Sequence, residues 1–131
     1  MVLADWREEA AQSAAKELAN RGHTTLAFRC DVSDDAQVEA MVKQTVATFG
    51  RLDAAYNNAA VQNVLAETAD TTQEDYDRVM GINLRGVWSC MKFELQQMRK
   101  QGSGIRLSSG TGPKEQGSQI RATRFARIYG V

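Results

Sequence analysis

Five short polar stations recur where apolar runs of this chain end, and they are the residues able to do chemistry. Asp5 closes Val2-Leu3-Ala4, and Asp31 follows Thr24 to Cys30. Asn57-Asn58 close Leu52 to Tyr56, Asn83 interrupts a long helical pattern, and Ser108-Ser109 end Ile105 to Leu107. In an open α/β sheet, ligands lie beyond the carboxyl ends of the strands, so polar groups at those ends form a candidate binding crevice. A carboxylate at the Asp5 position of a dinucleotide fold accepts hydrogen bonds from the adenosine ribose hydroxyls and repels a 2′-phosphate. That would favour NAD over NADP. The same aspartate reads equally well as a cap for the helix that follows, and one carboxylate can do both.

The elements that must position these residues follow from periodicity. Val2 to Ala4 reads as a buried strand, and Arg7 to Asn20 as a helix with Ala11, Ala14, Ala15 and Leu18 on its apolar stripe, stopped at Gly22. Thr24 to Cys30 reads as a second strand. Ser33 is the expected N-cap of a helix carrying Val38, Met41, Val42, Val46 and Phe49, closed by Gly50. Leu52 to Tyr56 is a third strand and Val61 to Asp70 a loop. Thr72 and Asp75 form a capping box for a long helix whose expected apolar face is Val79, Met80, Leu84, Val87, Met91, Leu95 and Met98. Ile105 to Ser109 is a fourth strand. Alternating strands and helices argue for a parallel sheet with helices on both faces. Beyond Ser109 the periodicity stops, and Gln119 to Val131 carries no expected element.

Bulk properties exclude several classes. The 131 residues hold 16 basic and 16 acidic side chains, so no net field recruits nucleic acid or an anionic membrane. Residues 105–131 are nevertheless basic, with five Lys/Arg against one Glu. Cys30 and Cys90 cannot make a disulfide framework or a four-thiolate metal site, so reduced, buried thiols are expected. No apolar run approaches the roughly 20 residues of a membrane helix, and no leader is recognised before Val2, which makes a cytoplasmic protein the default. His23 is expected to be solvated, and Trp6 and Trp88 to be packing residues.

Phe49-Gly50-Arg51-Leu52-Asp53 leading into Asn57-Asn58-Ala59-Ala60 closely resembles the fourth-strand signature of the classical short-chain dehydrogenases/reductases. Ala60 stands where that family usually has glycine. The resemblance covers residues 2 to about 109 and implies an incomplete Rossmann-type three-layer α/β/α fold, its parallel sheet missing the first strand. It implies NAD(P)-dependent hydride transfer between an alcohol and a ketone or aldehyde. On its terms Asp31 and Val32 contact adenine, and Asn58, Ala59 and Ala60 line the cofactor. Asn83 holds a water of the proton relay, and Ser109 hydrogen-bonds the substrate oxygen. Asn83 also sits in Gly81-Ile82-Asn83-Leu84-Arg85-Gly86, a stretch at odds with helix propensity, and such conflicts concentrate at functional sites.

Two parts of the family pattern have no match. No Tyr-x-x-x-Lys occurs, since Tyr56 is followed four positions on by Ala60 and Tyr76 by Met80. No Gly-rich turn follows the first strand to cradle a pyrophosphate, because the first glycine is Gly22. Two readings therefore stand: an impaired dehydrogenase, or a catalytically inactive dinucleotide-fold chain that is either a truncated or frameshifted remnant or an interaction module. A flavodoxin-like domain would need an early phosphate-binding loop. The expected organisation is a partial dinucleotide-binding domain over 1–109 and an irregular basic tail over 110–131. The sheet would have an open slot beside its first strand, and the chain would be marginally stable or assembly-dependent, with homo-oligomers formed through the helix 72–98.

Overall fold

The computed structural model describes residues 1–63, 65–108 and 125–128, with side chains as far as residue 105. A parallel sheet carries helices on two faces. In chain order the elements are β1 (Val2–Asp5), α1 (Glu8–Asn20), β2 (Leu26–Arg29), α2 (Asp35–Phe49) and β3 (Ala54–Asn57). A short 3₁₀ turn (Thr68–Asp70) precedes α3 (Gln73–Met80), a π-helical segment (Gly81–Gly86) and α4 (Val87–Gln101). The strands β4 (Ile105–Ser108) and β5 (Phe125–Ile128) follow.

All four residues of β1 are buried, as in a central parallel strand covered on both sides. Alanines at 11 and 15 are the buried residues of α1, and their small size lets that helix lie close to β1 and β2. On the opposite face α2 and α4 pack against each other. Val38 and Met41, 0% and 2% exposed, anchor α2 in a core shared with Val2, Ala4, Cys30, Val32, Ala55, Cys90 and Met98. Burial of each valine or methionine side chain among these contributes about 1.5–3 kcal/mol. The α2 helix ends on Gly50, whose φ of +79° is left-handed and whose N–H reaches Val46 O at 2.7 Å.

The sheet order is β2-β1-β5-β3-β4, all parallel. The expected open slot beside β1 is therefore corrected. Phe125–Ile128 occupies it, pairing with Val2–Ala4 on one side and Ala54–Asn57 on the other. Backbone donors and acceptors on the inner edges of β1 and β3 thus find partners, which an empty slot would have denied them. The expectation of no element after residue 119 is corrected over the same four residues. The remainder of the anticipated basic tail, and Ser109, lie outside the described residues.

Four local expectations also change. The N-cap of α2 is Asp34 rather than Ser33, because the Asp34 carboxylate accepts from Ala36 N at 2.9 Å while the Ser33 hydroxyl donates to Asp31 Oδ1 at 2.7 Å. The long helix is not uniform, since the glycine-flanked stretch 81–86 winds as a π-helix between α3 and α4. Its buried stripe also differs: Gly86, Ser89, Cys90, Glu94 and Met98 face inward, whereas Leu84 and Leu95 are exposed. Trp6 and Trp88 are more than half exposed rather than packed, each beside a cation, Arg7 and Lys92 respectively. His23 is exposed, as expected.

Candidate functional site

Parallel register puts the carboxyl ends of the strands on one edge: Asp5 pairs with Arg29, and Asn57 with Ser108. Asp5, Asp31, Val32, Asn58, Ala59 and Ala60 therefore lie at or just beyond that edge. The chain runs outward from β1 to β2, then crosses to β3 and β4 on the other side, so strand order reverses between β1 and β3. Such a reversal opens a crevice at the strand ends.

Asp5 is 3% exposed. Its Oδ1 accepts the Arg7 N–H at 2.8 Å, with the Arg7 guanidinium Nε 3.6 Å away. This contact orders the turn into α1, but the expected Asp5 cap is corrected: the N-cap of α1 is Arg7, and no side chain caps that helix. Asp31 is half-buried. Its Oδ1 accepts from both Ser33 N (2.9 Å) and the Ser33 hydroxyl, while its own N–H donates to Gln37 Oε1 at 3.0 Å. These contacts fix the loop that presents Val32. Asp34 accepts from the Gln37 side chain and from the Ala36 and Gln37 amides, which holds its carboxyl below the usual range, and Gln37 ties it back to Asp31.

Beyond β3, Asn58 and Ala59 are half-buried and Ala60 is exposed. The loop after them is held from α3–α4: Asn83 Oδ1 accepts Val61 N–H and Asn83 Nδ2 donates to Val61 O, both at 2.8 Å. Both functions of this side-chain amide are engaged by one residue's main chain. Asn83 is thus brought to the edge that carries Asn58, through a neighbour three positions along.

Sequence reasoning missed Glu94 and Gly86 here, and gave Asn57 no partner. Asn57 is 3% exposed, and its Nδ2 donates to Glu94 Oε2 at 2.9 Å, with Glu94 itself 2% exposed. Asn57 Oδ1 is buried with no hydrogen-bond partner among the described residues. Gly86 approaches Val32 so closely that a Cβ at residue 86 would stand 2.7 Å from Val32 Cγ2 and 3.2 Å from Val32 O. Val32, Asn57, Ala59, Gly86, Val87 and Cys90 close around this point without leaving room for a water molecule. The available signal was the four-residue repeat Gly86, Cys90, Glu94, Met98, which runs along the buried side of α4.

The thiols are passive. Burial pushes Cys30 up to about 12, helped by the charges of Asp31 and Asp34, and burial beside Glu94 raises Cys90 as well. Both are free and buried, as expected. Among the described residues no helix is long and apolar enough to cross a membrane, and no group of His, Cys, Asp and Glu could hold a metal ion.

Comparison with known proteins gives this edge its context. Residues 1–120 match the family described as enoyl-(acyl carrier protein) reductase. The short chain dehydrogenase/reductase astE of Aspergillus oryzae is 43% identical over 103 residues, covering 76% of this chain and 40% of that protein. Oxidoreductase UcpA of Salmonella typhimurium is 40% identical over 135 residues, covering all of this chain and 51% of that protein. Among solved structures, NAD⁺-bound xylitol dehydrogenase is similar with a TM-score of 0.79 at 30% identity, covering 82% of this chain and 41% of that one. A 3-ketoacyl-ACP reductase from Sinorhizobium meliloti follows with a TM-score of 0.78 at 25% identity, covering 82% and 42%. The chain spans about half the length of the curated relatives it matches. By family match, sequence identity and fold, it belongs to the short-chain dehydrogenases/reductases.

Proposed function

We propose that this chain forms the dinucleotide-binding crevice of an oxidoreductase that moves a hydride between an alcohol and a ketone or aldehyde. One observation carries the reading: Asp5, Asp31-Val32 and Asn58-Ala59-Ala60 leave three parallel strands at one edge, on either side of the reversal in strand order. A bound nicotinamide dinucleotide supplies or accepts the hydride. The chain's own residues bind and orient it. Asp5 accepts from the adenosine ribose, and Asp31 and Val32 contact adenine. Asn58, Ala59 and Ala60 line the cofactor further along, while Asn83 and Ser109 serve the substrate side. The xylitol dehydrogenase similar to this chain is bound to NAD⁺, which supports the choice of cofactor class.

NAD is preferred over NADP because a carboxylate at Asp5 repels a 2′-phosphate. Arg7 works against that preference, since its guanidinium lies 3.6 Å from Asp5 and is half exposed. The residues fit the nucleoside end of the cofactor better than its pyrophosphate, for which this sequence has no glycine-rich turn at a helix start. Without a Tyr-x-x-x-Lys pair the chain lacks its family's proton-exchange group, so the proposed activity is cofactor binding with impaired turnover. Copies associate through the α3–α4 face, where Leu84, Trp88 and Leu95 are 61%, 53% and 39% exposed beside a groove of about 550 Å³. Two reduced, buried thiols agree with a cytoplasmic location.

Titrating NADH and NADPH against the purified chain, with nicotinamide fluorescence as the signal, tests the reading. Saturable binding is expected, tighter for NADH, with the preference reduced in Asp5→Ala. No saturable change with either cofactor at millimolar concentration would leave the inert interaction module as the surviving reading.

A further inference from the structure

The π-helical segment Gly81–Gly86 touches both loops that flank the proposed crevice. Asn83 holds Val61 on the β3 side, and Gly86 abuts Val32 on the β2 side. We propose that Gly86 is a positioning residue that seats Val32, and through it the Asp31–Ser33 loop, against the start of α4. This rests on the cofactor reading above only for its functional consequence. The packing itself is independent of it.

The argument starts from what glycine does at this position. Gly86 has ordinary helical dihedrals, φ −61° and ψ −45°, so backbone freedom does not explain it. In an α-helical setting glycine is a poor choice beside alanine. Gly81, at the other end of the same segment, has open space around a Cβ, whereas the Gly86 Cβ position meets Val32 Cγ2 at 2.7 Å, Val32 Cβ at 3.1 Å and Val32 O at 3.2 Å. Two of those atoms cannot rotate away. The isopropyl group is stiff about χ1 and the carbonyl belongs to the main chain. A methyl group at residue 86 must therefore displace the loop rather than a side-chain tip. The loop has a defined seat to lose, because Asp31 is bound to Ser33 and Gln37, and Val32 is 5% exposed.

The test compares Gly86→Ala, Gly81→Ala, Val32→Ala and the double variant Gly86→Ala/Val32→Ala in the full chain. Hydrogen exchange of residues 31–34 is the primary measurement and needs no cofactor. Gly86→Ala is expected to speed that exchange roughly tenfold, as local opening of a displaced loop would. Gly81→Ala should leave it near wild type, and the double variant should return part of the way toward Val32→Ala alone, since the closest contact, to Val32 Cγ2, is gone while those to Cβ and O of residue 32 remain. NADH titration of Gly86→Ala should show weaker binding. If the wild type binds no NADH but the exchange pattern holds, the cofactor reading fails and the positioning role stands. Equal exchange in Gly86→Ala and Gly81→Ala overturns the inference. So does a Gly86→Ala variant that fails to fold and is not recovered by Val32→Ala, because the glycine would then serve general helix packing.

Discussion

Asn57 Nδ2 donates a 2.9 Å hydrogen bond to Glu94 Oε2 in a setting where both side chains are at most 3% exposed. The bond ties the end of β3 to the middle of α4 across the core, directly behind the residues proposed to line the cofactor. Glu94→Ala would leave the Asn57 amide without this partner and open a void. An unsatisfied buried polar group costs about 1–3 kcal/mol, and the lost packing adds to it. A loss of about 3 kcal/mol in urea unfolding is expected for Glu94→Ala. Glu94→Gln can still present an amide oxygen to Asn57 and should cost about 1 kcal/mol. A Glu94→Gln variant as destabilised as Glu94→Ala would show that neither the retained acceptor nor the retained volume stabilises this position, and that the carboxylate charge is what it needs.

How far the chain could be read beforehand divides along one physical line. Strands whose apolar runs end in Asp5 and Asn58 were legible because a central parallel strand is buried on both sides and needs no alternation. The inward face of α4 was misjudged because its buried positions hold Gly86, Ser89, Cys90 and Glu94, so hydrophobic periodicity pointed to Leu84 and Leu95 instead. Close approach selects small residues there, and a hydrogen bond retains the glutamate, neither of which hydropathy registers. β5 was invisible for a further reason. Phe-Ala-Arg-Ile holds an arginine at the register position between Leu3 and Tyr56, which no apolar-strand pattern anticipates.

The place of β5 in the sheet makes a prediction about association. Removal of residues 125–131 exposes the inner edges of β1 and β3 at once, and unpaired central edges recruit strands from other copies. The shortened chain should form large species in size-exclusion chromatography and lose a sharp thermal transition, whereas the full chain unfolds cooperatively when dilute. If both chains melt alike, β5 contributes nothing to the sheet.

Asp34 gives the acid side of the stability curve. Its carboxyl lies below the ordinary value of 3.8 because the Gln37 side chain and the Ala36 and Gln37 amides donate to the charged form. A depressed folded-state value means the unfolded chain takes up the proton first, so the contribution is present above about 4 and lost as pH falls through the folded value. Asp34→Ala should lower the urea midpoint at pH 7 by removing the α2 cap. Asp34→Asn, which can still cap, should retain most of the pH 7 midpoint and flatten the decline below pH 4. An unchanged acid limb in Asp34→Asn would mean other carboxylates control it.

Cys30 gives the alkaline side. Its thiol ionises near 9.0 when unfolded and is pushed up to about 12 in the fold, chiefly by burial. The folded state therefore keeps a proton that the unfolded state releases, and stability falls as pH rises from about 9 to 12. Each such thiol contributes a slope of up to about 1.4 kcal/mol per pH unit in that window. Unfolding at pH 8 and pH 10 should show the wild type weakened at the higher pH, and Cys30→Ala less so after allowance for its lower baseline. A disulfide-exchange reagent should modify both thiols only after denaturant is added, since neither native thiolate is available. Rapid native labelling would contradict the burial.

Asn83 separates a loop-holding role from a purely helical one. Its two 2.8 Å bonds to Val61 are solvent-exposed, so each contributes about 0.5–1.5 kcal/mol. Alanine partly offsets the loss because asparagine is the poorer helix former, by up to about 0.7 kcal/mol. Asn83→Ala should therefore cost only about 1 kcal/mol globally. Its effect should be local: the Val61 amide loses an acceptor, and its hydrogen exchange accelerates far more than amides in α1 or α2. Asn83→Asp retains the acceptor for Val61 N–H but sets a carboxylate against Val61 O. Its exchange rate should fall between wild type and alanine. That ordering follows from the two separate bonds, and a Val61 amide equally protected in all three proteins would show that the loop is held by something other than this side chain.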